Sequence, residues 1–436
     1  MTDMKKLSAV FAWLALSLFA VAANAQLVIE ITKPMDDAVP VAIVPFGWES
    51  TGAAPFDVAE VVAADLQRSG RFAPLDRKDM IDRPTAGDQI RFQDWRYLKS
   101  DFIAVGKLTP DGAGFAAQFE LFNVLTGQRL TGQRLTANAS SMRTMAHRIS
   151  DLIFEQLTGV RGAFSTRVAF VSVEGKPPQQ RYQLIVSDYD GENQQVIATS
   201  TEPLMSPAWS PDGQNLAYVS FESKASAIFV QTLRTGERRK VSARAGINGA
   251  PTWSPDGKTL ALTLSRKDGD VDVYTLNLSS QVLTRMSFDP GIDTEPTWSA
   301  DGNKLYFMSD RAGGPQIYEI DVSNPNRATR VSFEGSYNAR PRLSPDGKQL
   351  AVVHLDRGNY RIAVIDLASK AVQVLSQGRQ DESPSFAPNG ATLIYATQDR
   401  GRGVLATVST DGRVQQRLTA NTGDVREPVW GPFPRP

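Results

Sequence analysis

Ser206-Pro-Ala-Trp-Ser-Pro-Asp-Gly213 decides the fold, because it recurs. Its copies read Ala250-Pro-Thr-Trp-Ser-Pro-Asp-Gly257, Glu295-Pro-Thr-Trp-Ser-Ala-Asp-Gly302, Arg340-Pro-Arg-Leu-Ser-Pro-Asp-Gly347 and Ser383-Pro-Ser-Phe-Ala-Pro-Asn-Gly390, with a truncated Glu427-Pro-Val-Trp-Gly-Pro432. The anchor position, occupied by Trp209, Trp253, Trp298, Leu343, Phe386 and Trp430, returns about every 44 residues, the period of a four-stranded propeller blade.

Within each repeat the Ser-Pro-Asp-Gly tetrad has turn chemistry. Pro presets φ, Asp bonds its own backbone, and Gly is free to take φ > 0. Alternating apolar strands follow, as in Leu216-Ala-Tyr-Val-Ser220 and Leu350-Ala-Val-Val353; then comes a third strand such as Ile317-Tyr-Glu-Ile320 and a more polar fourth such as Arg239-Lys-Val241. After Trp430 too little chain remains for a sixth blade. The stretches Arg167–Ser172, Gln183–Ser187 and Gln195–Ala198 read as second, third and fourth strands with no Pro-x-Trp strand before them. Pro428–Gly431 is therefore expected to supply it, clasping both ends of the repeat array into one blade and removing exposed sheet edges.

Upstream the texture changes. Val41–Val44 reads as a strand, and Asp57 caps a helix with apolar Val58, Val61, Val62 and Leu66, stopped by Gly70. A short helix at Asp94–Leu98, strands at Phe102–Leu108 and Ala116–Val124, and an amphipathic helix at Met142–Leu157 complete an α/β layer. The doubled Leu-Thr-Gly-Gln-Arg between Leu125 and Leu135 reads as a lengthened hairpin, and Gly159–Ala163 as a linker. The expected fold is thus an α/β N-terminal domain, residues 26–162, followed by an all-β six-bladed β-propeller, residues 163–436.

Lys5 and Lys6 precede an apolar run from Leu7 to Ala22 and a small-residue site at Ala23-Asn24-Ala25, so residues 1–25 read as a cleaved secretory signal peptide. The run is shorter than the roughly 20 apolar residues of a spanning helix. Translation could start at Met1 or Met4. Lysine plus arginine and aspartate plus glutamate each number 47, and the leader carries only Lys5, Lys6 and Asp3, so no bulk field favours nucleic acid or anionic lipid. No nucleic acid partner and no direct membrane insertion are expected. The chain has no cysteine, which excludes thiolate chemistry and disulfides.

A search for catalytic groups finds none to assign. There is no G-x-S-x-G elbow, H-E-x-x-H pair or P-loop. His354 reads as a blade-packing residue, and His147 as the maker of an interdomain hydrogen bond. A calcium loop begun at Asp268, with Asp270 and Asp272, would put Val273 where Gly is required and Ser279 where Glu is required, so the three read as a solvated strand edge. Asp188-Tyr-Asp-Gly191 reads as a turn. No metal, cofactor or catalytic residue is expected.

Thr158-Gly-Val-Arg-Gly-Ala-Phe164, Ser187-Asp-Tyr-Asp-Gly191, Leu204-Met-Ser-Pro-Ala-Trp-Ser-Pro-Asp-Gly213 and Asn248-Gly-Ala-Pro251 together resemble the TolB family across nearly the whole mature chain. The Pro-Asp-Gly repeat alone is less specific, since propellers of prolyl-oligopeptidase-type enzymes carry it too. Leu343 in an aromatic position and the doubled Leu-Thr-Gly-Gln-Arg depart from the pattern. The resemblance implies a periplasmic component of the Tol-Pal system, supporting outer-membrane constriction at cell division and outer-membrane integrity.

It further implies that the propeller binds the lipoprotein Pal, on the face formed by the loops just before each Pro-x-Trp strand. The implied residues are Leu204, Met205, Ser206, Ile247, Asn248, Ala250, Thr294, Glu295, Tyr337, Asn338 and Glu382. The mature N-terminal segment, Gln26, Leu27, Val28, Ile29, Glu30, Ile31, Thr32 and Lys33, is implied to contact TolA; its alternation suits an edge strand, docked or released. The other function class left open is a propeller binding a small molecule or glycan in its axial channel.

Overall fold

The computed structural model describes residues 27–33, 37–265, 269–420 and 423–435. The leader 1–25, Gln26, Pro34 and Asp268 lie outside the described residues. The first strand, β1 (Leu27–Lys33), is followed by β2 (Val39–Ile43), β3 (Gly47–Trp48), α1 (Val58–Arg68), β4 (Phe72–Pro74), α2 (Phe92–Tyr97), β5 (Phe102–Asp111), β6 (Gly114–Asn123), β7 (Arg129–Ala137) and α3 (Met142–Thr158). The sheet runs β4-β2-β5-β6-β7, with β2 parallel to β4 and β5. The apolar stripes of α1 and α3 (Val58, Val62, Leu66, Ile149, Ile153) cover one sheet face against Phe119 and Leu121. On the other face Trp95 of α2 packs on Ala42, Ile103 and Phe122.

Asp57 caps α1 by accepting from Glu60 N at 2.9 Å. Gly70, at φ +67°, does more than stop the helix: a Cβ there would sit 2.4 Å from Val414 Cγ1 in the propeller, so the glycine permits a close approach of the two domains. The doubled pentapeptide is not one hairpin loop. Its first Thr126-Gly127 forms the β6–β7 turn, where Asn123 Oδ1 accepts from Thr126 N, while the second copy lies inside β7, so the same letters are a turn and a strand.

From Arg167 onward the chain forms six four-stranded blades. Their innermost strands are Asp424–Trp430, Leu204–Trp209, Asn248–Trp253, Asp293–Trp298, Asn338–Leu343 and Glu382–Phe386, for blades 1 to 6 in turn. Blade 1 pairs Asp424–Trp430 antiparallel with Arg167–Glu174, joining the two ends of the propeller segment. Tryptophans tie the seams through their indoles: Trp209 Nε1 donates to Val429 O (3.2 Å), Trp253 Nε1 to Ala208 O (3.1 Å) and Trp298 Nε1 to Thr252 O (3.3 Å). Leu343 and Phe386 have no such donor. There Arg340 spans the seams instead, reaching Glu295 of blade 4 (3.0 Å), Ser383 of blade 6 and Glu427 of blade 1 (3.3 Å).

Every innermost strand carries a feature the repeat did not announce. The residue before its proline has positive φ, from +44° at Ala250 to +56° at Glu295, with Ser206, Arg340, Ser383 and Glu427 between, and the pairing register shifts there. This is a bulge repeated six times around the axis.

β1 was grouped by sequence with the α/β domain. In space it is the fifth strand of blade 6, antiparallel to Gln415–Ala420, with Leu27 opposite Ala420 and Lys33 opposite Gln415. The α/β domain itself sits on the face that carries the Asp-Gly turns. There Asn389 Nδ2 donates to Arg161 O (2.9 Å), and Tyr189 OH to Asp65 Oδ1 (2.8 Å). Among the described residues no helix is long and apolar enough to cross a membrane.

Candidate partner-binding surface

The face opposite the α/β domain is built by crossovers between blades. Each of blades 3 to 6 begins its innermost strand on or just after a buried Asn or Asp, namely Asn248, Asp293, Asn338 and Asp381. Asn248 Oδ1 accepts from Ser242 Oγ (2.7 Å) and Arg244 N (2.9 Å), and its Nδ2 donates to Arg244 O (2.7 Å). Asn338 Nδ2 donates to Gln316 Oε1 (3.0 Å) and Glu334 O (2.9 Å). These side chains are consumed in holding the turn.

Of the expected partner contacts, Asn248 and Asn338 spend their side chains on these turns, and Leu204 is buried in the core between blades 1 and 2. Nor are the expected positions loops throughout: most open the innermost strands. Met205, Ile247 and Glu382 are exposed, and Ser206, Ala250, Thr294, Glu295 and Tyr337 are half-buried. Ala250 stands at φ +44°, where a β-branched side chain is strained, so Ala250→Val would disturb the bulge as well as any partner. Thr294 Oγ1 shares a hydrogen bond with Thr263 Oγ1 at 3.1 Å.

Thr294, Glu295, Tyr337, Arg340 and Glu382 open into one cavity of about 600 Å³, which continues to Tyr360 and Asp424. Tyr337 and Tyr360 meet edge-on, with ring centroids 5.0 Å apart. Burial pushes the Asp381 carboxyl in its wall upward, opposed by hydrogen bonds from Ser376, Thr397 and Gly378 N. Sequence reasoning missed the apolar residues beside this mouth. Phe288, Ile292 and Phe333, the last 59% exposed, lie in the crossovers before the innermost strands of blades 4 and 5, as Ile247 does before that of blade 3. Their signal was a large apolar residue within a turn that has no need of one.

The strand that β1 covers, Gln415–Ala420, leads within a few residues into Asp424–Trp430, whose Asp424, Val425 and Arg426 line the mouth cavity. The two expected binding regions therefore adjoin one stretch of chain.

Of the two histidines, His354 packs in blade 5 with Nδ1 2.9 Å from Asn338 Oδ1. His147 differs from expectation: its Nδ1 hydrogen bond, 2.8 Å, goes to Asp65 in its own domain, and the interdomain hydrogen bond is made by Tyr189 to that same Asp65. Asp272 also differs. It is buried and paired with Arg285 at 3.0 Å, not solvated at an edge. Among the described residues, Asp65, His147 and Asp190 lie close enough to suggest a metal site, but the guanidiniums of Arg68 and Arg143 already occupy the Asp190 carboxylate.

Fold and surface define the class: a six-bladed β-propeller joined to an α/β domain on one face, with an open, apolar-flanked mouth on the other. A family model described as the TolB beta propeller domain matches residues 154–434, and one described as the TolB amino-terminal domain matches residues 27–130. The chain belongs to the TolB family. The Tol-Pal system protein TolB of Methylococcus capsulatus is 51% identical over 249 residues, 57% of this chain and 58% of its own length. That of Xanthomonas euvesicatoria pv. vesicatoria is 48% identical over 239 residues, 54% of each. The chain thus spans little more than half the length of the curated relatives it matches. The crystal structure of TolB from Acinetobacter baumannii, 41% identical, has a TM-score of 0.87 and covers 94% of this chain and 100% of its own.

Proposed function

We propose that this chain is a non-catalytic protein-binding hub of the Tol-Pal envelope system, working in the periplasm after removal of its leader. The propeller mouth binds the lipoprotein Pal, and the segment Gln26–Lys33 binds TolA, in support of outer-membrane constriction at division and outer-membrane integrity. The observation that carries the reading is the mouth: an open cavity on the face the α/β domain leaves free, with exposed Met205, Ile247, Phe288, Ile292 and Phe333 at the starts of the innermost strands or in the crossovers that lead into them. Isolated exposed apolar residues need no explanation, whereas their recurrence at the crossovers of one face suits a protein partner.

The N-terminal segment works by exchange of edges. Docked on blade 6, the backbone donors and acceptors that face Gln415–Ala420 are taken; released, they are available to another protein's sheet. A difference of a few kcal/mol between the two states suffices for a partner at the mouth to bias them through Gln415–Trp430. Deleting Gln26–Lys33 should abolish binding to the periplasmic part of TolA while leaving Pal binding within about twofold. Normal TolA binding by the truncated chain would refute the assignment of that segment.

A further inference from the structure

The interface between the α/β domain and blade 1 contains more buried acid than buried base. From α1 it receives Asp65 and Arg68; from α3, Arg143 and His147, with Asp151 one turn further on; from the propeller turn, Asp188, Tyr189 and Asp190. Arg68 Nη1 donates to Asp190 Oδ2 (3.0 Å), Arg143 Nη2 donates to the same oxygen, and Arg143 Nε lies 3.7 Å from Asp188 Oδ2. Asp65 accepts from Ser150 Oγ (2.6 Å), Tyr189 OH (2.8 Å) and His147 Nδ1 (2.8 Å). Four carboxylates, Asp65, Asp151, Asp188 and Asp190, therefore stand against three guanidiniums, Arg68, Arg143 and, across the strand pair from Asp188, Arg167. The deficit is one positive charge, and the group in position to supply it is the imidazole.

His147 is 1% exposed, and its Nε2 has no hydrogen-bond partner. With Nδ1 donating to Asp65, a neutral ring turns the Nε2 lone pair toward Asp190 Oδ2 at 3.9 Å and Asp188 Oδ2 at 4.0 Å, an acceptor facing acceptors. A proton on Nε2 converts that repulsion into attraction across the domain boundary and balances the cluster.

We propose that His147 is a proton-operated latch between the two domains, closed when the imidazole is charged and loosened when it is neutral. Burial pushes the imidazole down, but Asp65, Asp190 and Asp188 outweigh it and hold its pKa above the ordinary 6.5. For a base with a raised pKa the contribution is complete below about 6.5 and is lost as pH rises through the higher folded value. Burial pushes Asp151 up to about 6, and its protonation favours the closed form in the same direction.

The chain has no cysteine, so two can be introduced as labels, at exposed Gln93 on the α/β domain and exposed Ser279 on the propeller. Spin-label distance distributions on the otherwise unaltered mature chain then report the ratio of closed to open forms. Between pH 8.5 and 6 this ratio should rise severalfold. His147→Gln should remove most of the pH dependence, leaving the smaller part that Asp151 carries near pH 6, and Asp188→Asn, which balances the cluster without a proton, should hold the domains closed at both pH values. His354→Gln, on the far side of the propeller, should change nothing. A pH-independent ratio in the parent, or the parent's full pH dependence surviving in a folded His147→Gln, overturns the latch. If His147→Gln does not fold, Asp188→Asn decides: retention of the parent's full pH response contradicts the proposal.

Discussion

Replacing Arg340 with methionine tests whether one arginine substitutes for the missing indoles at the Leu343 and Phe386 seams. In the native propeller its guanidinium lies 3.0 Å from Glu295 and 3.3 Å from Glu427, whose side chains are 20% and 9% exposed. Methionine preserves the aliphatic stem but strands two largely buried carboxylates, one of them on the strand that closes the ring. Removing one partner of a buried pair costs about 3–5 kcal/mol. Arg340 keeps 23% side-chain exposure toward the cavity, which favours the lower end. At roughly 2–4 °C per kcal/mol for a domain of this size, Tm should fall by about 10 °C in calorimetry of the mature chain. Arg340→Met combined with Glu427→Gln removes one stranded charge and should recover part of that loss. A single variant melting within about 1 °C of the parent, or a double variant melting lower than the single, would refute the account of the seams.

Three other perturbations address separate parts of the fold. Deleting Pro428–Pro436 removes Trp430, whose Nε1 donates to Thr166 Oγ1 at 2.8 Å; the aromatic loss alone should cost about 3–5 kcal/mol, and an unchanged melting temperature would rule out closure by this strand. Gly70→Ala places a methyl 2.4 Å from Val414 Cγ1 at positive φ, so it should destabilise by about 1–3 kcal/mol and raise hydrogen exchange at the domain boundary; an exchange pattern like the parent's would contradict the close approach. Burial holds the His354 imidazole below its ordinary 6.5 against the pull of Asp356 and Glu334, so its contribution is complete above that value and is lost as pH falls below it. Blade 5 should therefore exchange faster, relative to intrinsic rates, at pH 5.5 than at pH 7.5, and His354→Gln should flatten the difference.

The blade count and strand order were legible because the Pro-x-Trp and Asp-Gly positions impose turn and seam chemistry that cannot be satisfied otherwise. The six pre-proline bulges were not legible, since serine, alanine, glutamate and arginine carry no preference for positive φ; only the closed ring imposes it. The docking of β1 on blade 6 was open for a similar reason. Alternation says that a segment is a strand but not which of several outer edges accepts it. That Thr294 and Glu295 border the mouth follows from their place beside the repeat, whereas Asn248 and Asn338 looked like surface polar residues until their turn partners came into view. The interdomain hydrogen bond expected of His147 is made by Tyr189 instead, and the carboxylates around the imidazole come from α1 and blade 1, far from it in sequence.

The central claim is that the open mouth is the lipoprotein's binding face. Calorimetric titration of a purified Pal periplasmic domain into the mature chain and into an Ile247→Glu, Thr294→Ile variant tests it most directly. Thr294 lines the mouth cavity, and exposed Ile247 lies in the crossover before the innermost strand of blade 3; both are at ordinary negative φ, so the fold should survive and can be verified by its melting curve. The account predicts binding by the parent and a loss of at least about tenfold in affinity, roughly 1.4 kcal/mol, in the variant. Equal affinity in a variant that melts like the parent would contradict it.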